Sequence, residues 1–157
     1  MLFIGIDPGD TGGVAVLNDK DDTLTFSKYK RPFGSLLDEL ELEKNEHVIL
    51  LEKVGASPQM GTTSAFTFGK NSGSIEEAIL DRSLECYHLL PQEWQSHFDK
   101  EKLKGDYDKK KQKLFLLAKE LFPNLKFPKY IADAILIAKF LKDRHGNNTS
   151  NYRKLVQ

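Results

Sequence analysis

Three carboxylates stand where an apolar run ends or is interrupted. Asp7 closes "LFIGID", Glu52 closes "VILLE", and Asp133 breaks the otherwise apolar "IADAILIA". Burying an unpaired charge is costly, so each placement needs a reason. Singly, each has an ordinary one. Asp7 can cap the turn at Gly9 or Thr11, Glu52 can pair with a lysine such as Lys53, and Asp133 can lie on a wet stripe of its helix. Together they form a set of oxygen donors. Crowded carboxylates repel one another and take up protons unless a cation offsets them. Hard divalent ions prefer oxygen ligands, and a pair of them roughly 4 Å apart can clamp the attacking and leaving oxygens of a phosphodiester. The chemistry expected of Asp7, Glu52 and Asp133 is therefore hydrolysis at phosphorus with Mg²⁺ or Mn²⁺, two ions per site. The histidines His47, His88, His97 and His145 are scattered and offer no zinc spacing.

The formal charge of zero hides an asymmetry. Residues 1–99 carry 17 acids and 8 lysines and arginines, a net of −9, while residues 100–157 carry 6 acids and 15 lysines and arginines, a net of +9. The basic excess is densest in "KEKLKGDYDKKKQK", residues 100–113, with seven lysines. Such a run reads either as a solvated loop or as an electrostatic footprint for a polyanion such as nucleic acid. The single cysteine, Cys86, makes no disulfide framework, which points to the reducing cytoplasm. No apolar stretch approaches a membrane span, and the N-terminus lacks a signal pattern, so no membrane partner is expected.

The elements that must position the acids follow from the apolar pattern. Leu2 to Asp7, Val14 to Leu17 and Thr23 to Tyr29 read as three strands of an antiparallel meander, joined by the punctuated turn "DPGDTGG". "RPFGSLLDELELEKNE" has helical spacing and leads to the strand Val48 to Glu52, a crossover onto a parallel neighbour. A helix over about 64–83 is predicted to be interrupted at "GKNSGS". There Gly69 and Gly73 mark either a site where helices meet or a glycine-kinked end. "LECYHLL" reads as a strand, "PQEWQSHF" as a turn into a short helix with Trp94 in the core or at its rim, and Phe66 and Phe68 as packing residues. "KKKQKLFLLAKELFP" and "KYIADAILIAKFLKDRHG" read as the last two helices. The expectation is one α/β domain over residues 1–143, with a mixed five-stranded sheet flanked by helices, and a polar tail over 144–157.

These stretches, in this order, resemble the RuvC-type Holliday junction resolvases of the RNase H-like nuclease superfamily. "IGIDPGDTGGVAVL" is similar to their first strand pair, "VILLEKV" to the strand ending in their second acid, and "ADAILIA" to the C-terminal helix bearing a further acid. "SAFTFGKNSG" resembles their dimer-interface helix, "LLPQEWQ" their Pro-containing turn, and "KKKQKLFLLAKELFP" the helix whose Lys-x-Gln start carries a phosphate-contacting lysine. The resemblance implies an RNase H-like fold with strand order 3-2-1-4-5. It implies a Mg²⁺-dependent endonuclease that cuts Holliday junctions and related branched DNA as a homodimer. It assigns catalysis and metal binding to Asp7, Glu52 and Asp133, a catalytic role to Lys110, and DNA contacts to Lys109, Lys110, Lys111 and Lys113. The short length and loose motifs resemble a phage version, acting in the host cytoplasm.

Two residues depart from the pattern. Tyr130 stands where the family often has a fourth acid. The loop "GASPQMGTT" lacks the aromatic wedge common after the second acid, and Met60 is the apolar residue left to take that role. Three rival readings follow: an actin-like or sugar-kinase ATPase domain, a branched-DNA-binding protein without nuclease activity, and an RNase H-like nuclease acting on flaps, other DNA or RNA hybrids.

Overall fold

The computed structural model describes residues 1–9, 11–29, 32–43, 45–53, 55, 60–98, 106–145 and 153–154. A mixed sheet runs in the order β3-β2-β1-β4-β5-β6. β1 (Leu2–Asp7), β2 (Gly13–Asn18) and β3 (Leu24–Lys28) form the antiparallel meander. β4 (His47–Glu52) lies parallel to β1, and β5 (Cys86–Leu89) parallel to β4. The α/β class and the order 3-2-1-4-5 expected from sequence are found. β6 (Arg153–Lys154) adds two residues antiparallel to β5, so the stretch read as a polar tail contributes to the sheet. The remainder of that tail beyond residue 145, residues 56–59 of the loop after Glu52, and residues 99–105 of the basic segment lie outside the described residues.

The alternation of strand side chains divides the core into two layers. On one face Ile4, Ile6, Val14, Ile49, Leu51 and Cys86 pack against α1 (Phe33–Glu39) and α2 (Thr62–Asp81) through Phe33, Leu37, Ile75 and Ile79. Arg82 forks onto both carboxylate oxygens of Asp38 at 2.7 and 3.0 Å, tying α2 to α1. On the other face Phe3, Ala15, Leu17, Val48, Leu50 and Leu89 pack against α5 (Ala132–Arg144), with α3 (Pro91–Phe98) and α4 (Tyr107–Leu121) alongside. α5 lies between the sheet and these helices, which is why residues 132–138 are buried without a break.

α2 runs through "GKNSGS" without the predicted interruption. A Cβ at Gly69 or Gly73 would meet nothing within 4 Å. The glycines therefore loosen the helix without admitting a neighbour from within the described chain. Phe66 is 73% exposed, contrary to the packing role expected of it.

Gly5 makes the opposite kind of contact. A Cβ there would run into the Ala134 carbonyl oxygen and come within 2.5 Å of the Ala138 amide nitrogen. β1 and α5 thus touch backbone to backbone, which only glycine permits. This contact sets the start of α5 down on the end of β1. Gly5→Ala must separate them, and overpacking of this kind costs about 1–3 kcal/mol or more. The variant is expected to unfold at clearly lower denaturant concentration than the wild type, and equal midpoints in urea would contradict the close approach.

Candidate active site

Strand alternation aims two of the predicted acids at α5. Phe3 and Gly5 face that helix along β1, and Val48 and Leu50 along β4, so Asp7 and Glu52, two residues further on, face it as well. The parallel register Ile6↔Leu51 brings both to the same end of the two central strands. Asp133 sits in the first turn of α5, where free backbone N–H groups and the helix dipole favour a negative charge. Glu52 is 6% exposed and Asp133 4%. The structure thus brings together the three acids that the sequence singled out.

Each acid has a defined partner. Asp7 Oδ1 accepts from the Gly9 amide at 3.0 Å, and the turn closes with Gly12 N donating to the Gly9 carbonyl at 2.8 Å. The turn-cap role expected as an alternative for Asp7 is real and coexists with its place among the acids. Trp94 Nε1 donates to Glu52 Oε1 at 2.8 Å, with both side chains buried. Lys111 Nζ pairs with Asp133 Oδ2.

The electrostatics record the crowding. Burial first, then the charge of Asp133, raises the Asp7 pKa against the opposing pull of Lys111 and the Gly9 amide. Asp7 keeps part of its surface open, but its carboxyl lies deep enough for burial to dominate. Glu52 is pushed up to about 8 by burial, then by Asp7 and Asp133, with the Trp94 hydrogen bond and Lys111 opposing. Burial disfavours the Lys111 ammonium, but Asp133 and Asp7 outweigh it and its pKa rises. One ammonium does not offset the three carboxylates.

That surplus fits a hard divalent cation, as does a donor set made only of carboxylate oxygens. Among the described residues, no three Asp, Glu, His or Cys side chains stand close enough as placed to hold a metal ion. Instead the Lys111 ammonium lies against Asp133.

The other predicted residues are distributed as follows. Lys109, Lys110, Lys111 and Lys113 all lie in the first two turns of α4. Lys111 pairs with Asp133, whereas the resemblance favoured Lys110 for the phosphate-contacting role. The reach of Lys111 follows from the spacing 111, 114, 118: Leu114 and Ala118 are the buried residues of α4, and Lys111 continues their stripe one turn outward. Met60 is half-buried just before α2, next to residues outside the described set. Trp94 proves to be fully buried and bound to Glu52, a role that apolar patterning had no means of assigning. Cys86 is buried in the core as expected, and burial pushes its thiol up to about 12.

The Glu52 shift predicts a pH dependence. An unfolded Glu52 ionises near 4.5, while the folded one holds its proton to about 8. Between these values the unfolded chain has released a proton that the folded chain keeps, so its contribution to stability falls as pH rises. Glu52→Gln retains an acceptor for Trp94 and removes the ionisation. In chelator-treated protein, the variant should gain stability relative to wild type as pH rises from about 5 to about 8. Denaturant melts showing a constant difference across that range would contradict the burial and crowding of Glu52.

No protein-family model and no curated protein sequence matches the chain. Solved structures do. Thermus thermophilus RuvC in complex with a Holliday junction substrate matches with a TM-score of 0.66 and 16% identity, covering 98% of this chain and 99% of that one. A second structure of T. thermophilus RuvC matches with a TM-score of 0.65, at the same identity and coverage. With the strand order and the flanking helices, these alignments over nearly the whole of both chains show that the polypeptide has the RuvC-type, RNase H-like fold.

Proposed function

We propose that the protein is a metal-dependent, structure-selective endonuclease that cuts four-way junctions and related branched DNA by phosphodiester hydrolysis. The observation that carries this reading is the convergence of Asp7, Glu52 and Asp133 at one end of the central strands, with more negative charge than Lys111 offsets. The fold shared with a RuvC solved on a Holliday junction substrate supports branched DNA as the ligand.

In this reading Asp7, Glu52 and Asp133 would hold Mg²⁺ or Mn²⁺, two ions per site. When bound, such ions supply Lewis acidity toward a phosphate oxygen and a water activated for attack. The chain's own groups prepare the site. The Gly9 amide fixes Asp7, and the Trp94 N–H holds Glu52 in place and favours its ionised form. Lys111 neutralises part of the charge and would also be able to offset charge on a phosphate bound beside Asp133. Lys109, Lys110 and Lys113 extend the positive surface along α4, with Lys110 retained as a phosphate-contacting residue. Met60 is the wedge that enters the junction centre.

The active form is a homodimer acting in the cytoplasm, phage-encoded in origin. Phe66, Gly69 and Gly73, at i, i+3 and i+7 on α2, give an exposed stripe that a second copy would cover. No helix among the described residues is long and apolar enough to cross a membrane.

A second reading has its own support: with Lys111 on Asp133 and Tyr130 at the place of a fourth acid, the protein could bind branched DNA without cutting it. Cleavage of four-way junctions, flaps, linear duplex and RNA hybrids, with Mg²⁺ or Mn²⁺ and with chelator, separates the readings. Metal-dependent cutting of branched DNA is expected. Asp7→Asn, Glu52→Gln and Asp133→Asn should each lower it by about two orders of magnitude or more while junction binding persists. Near-normal cutting by any one of them rules out the assignment, and binding without cutting by the wild type selects the second reading. Phe66→Asp should convert the dimer to monomer in sedimentation velocity; a wild type that is monomeric at tens of micromolar argues against the dimer.

A further inference from the structure

Two exposed tyrosines border the acids, each with a lysine against its ring. Tyr107 opens α4 and is 69% exposed, and Lys111 Nζ lies 5.7 Å from its ring centre. That same lysine pairs with Asp133. Tyr130 lies in the 3₁₀ turn (Lys129–Ile131), three residues before Asp133, and is 40% exposed. Lys28 Nζ lies 5.9 Å from its ring centre. Lys28 shares a sheet row with Asp7, since Asp7 pairs with Gly13 and Gly13 with Lys28. Two strand spacings, about 10 Å, separate the backbones of Lys28 and Asp7. Lys129, also exposed, precedes Tyr130.

Neither ring belongs to the buried core. Of the three large aromatic side chains exposed among the described residues, Phe66 lies on α2, and the other two are Tyr107 and Tyr130. A ring with a cation over one face has its other face left for stacking, with a positive charge beside it for phosphate. Alternation of the two is what a nucleic-acid strand with unstacked bases requires.

We propose that Tyr130 with Lys28, and Tyr107 with Lys111, form two clamps that stack unpaired bases and hold their phosphates beside the acids. The ligand class is a single-stranded DNA segment, such as the opened arm of a branch point. A continuous duplex does not suffice, because a base must leave its own stack before it can cover a tyrosine. The inference rests on the nucleic-acid reading above and narrows it to strands with unpaired nucleotides next to the cut.

The test uses the full chain carrying Glu52→Gln, which is expected to bind without cutting. The probes are an oligo(dT) strand and a four-way junction with 2-aminopurine at the branch point, followed by anisotropy and by 2-aminopurine quenching across a salt series. Adding Tyr130→Leu or Tyr107→Leu should weaken oligo(dT) binding about tenfold and reduce the quenching, with the salt slope unchanged. Tyr130→Phe should restore both. Lys28→Met should instead lower the salt slope by about one contact. Parent-like affinity and quenching in both leucine variants would overturn this inference alone. A parent that binds neither probe would overturn it together with the nuclease reading.

Discussion

Among the described residues, the ends of the two central strands and the start of α5 hold three carboxylates in a low-dielectric site, with the Lys111 ammonium against one of them. Bringing like charges out of water together is unfavourable unless protons or cations compensate. The folded chain compensates in two ways: Glu52 holds its proton to about 8, and Lys111 gives its charge to Asp133. The acids are not placed there for stability, because apolar residues of similar size would pack with less penalty. The surrounding architecture serves to hold this costly arrangement in position.

Three features do the holding. Parallel pairing of β1 with β4 sets Asp7 and Glu52 at one end of the central strands, and strand alternation turns both toward α5. The side-chain-free contact at Gly5 lets α5 close onto β1, so that Asp133 arrives at the same place from the helix side. α3 contributes Trp94, whose ring fills the core while its N–H reaches Glu52. Two strands and two helices far apart in sequence thus converge on one small volume, and a shift in any of them would move an acid or its partner.

Much of this was legible in the chain. An acid that ends an apolar strand, repeated in two strands and joined by a third acid in an apolar helix, is unusual enough to mark the site. The punctuated turn after Asp7 pointed to the meander and the helical stretch after β3 to a parallel crossover, while the strand order itself came with the resemblance. Other features had no local signal. The glycines of α2 looked like an interruption, yet the helix passes through them because Asn71, Ile75 and Ile79 anchor its buried side. Phe66 was expected to pack against neighbours, because composition does not reveal which helix face lacks a partner. Two residues of the terminal segment pair with β5 at the sheet edge, a contact decided by tertiary position and not by their polar sequence. The choice between Lys110 and Lys111 turned on helical phase, since adjacent residues differ by about 100° around the axis.

The central claim is that the three acids form one cation site, and direct binding of the ion tests it without reference to cutting. Calorimetric titration of the chelator-treated protein with Mn²⁺ near pH 8 should show saturable binding in the wild type. Binding should be lost or strongly weakened in Asp7→Asn and in Asp133→Asn, both still folded by circular dichroism. Absence of Mn²⁺ binding at millimolar concentration, or undiminished binding in both variants, would contradict the account.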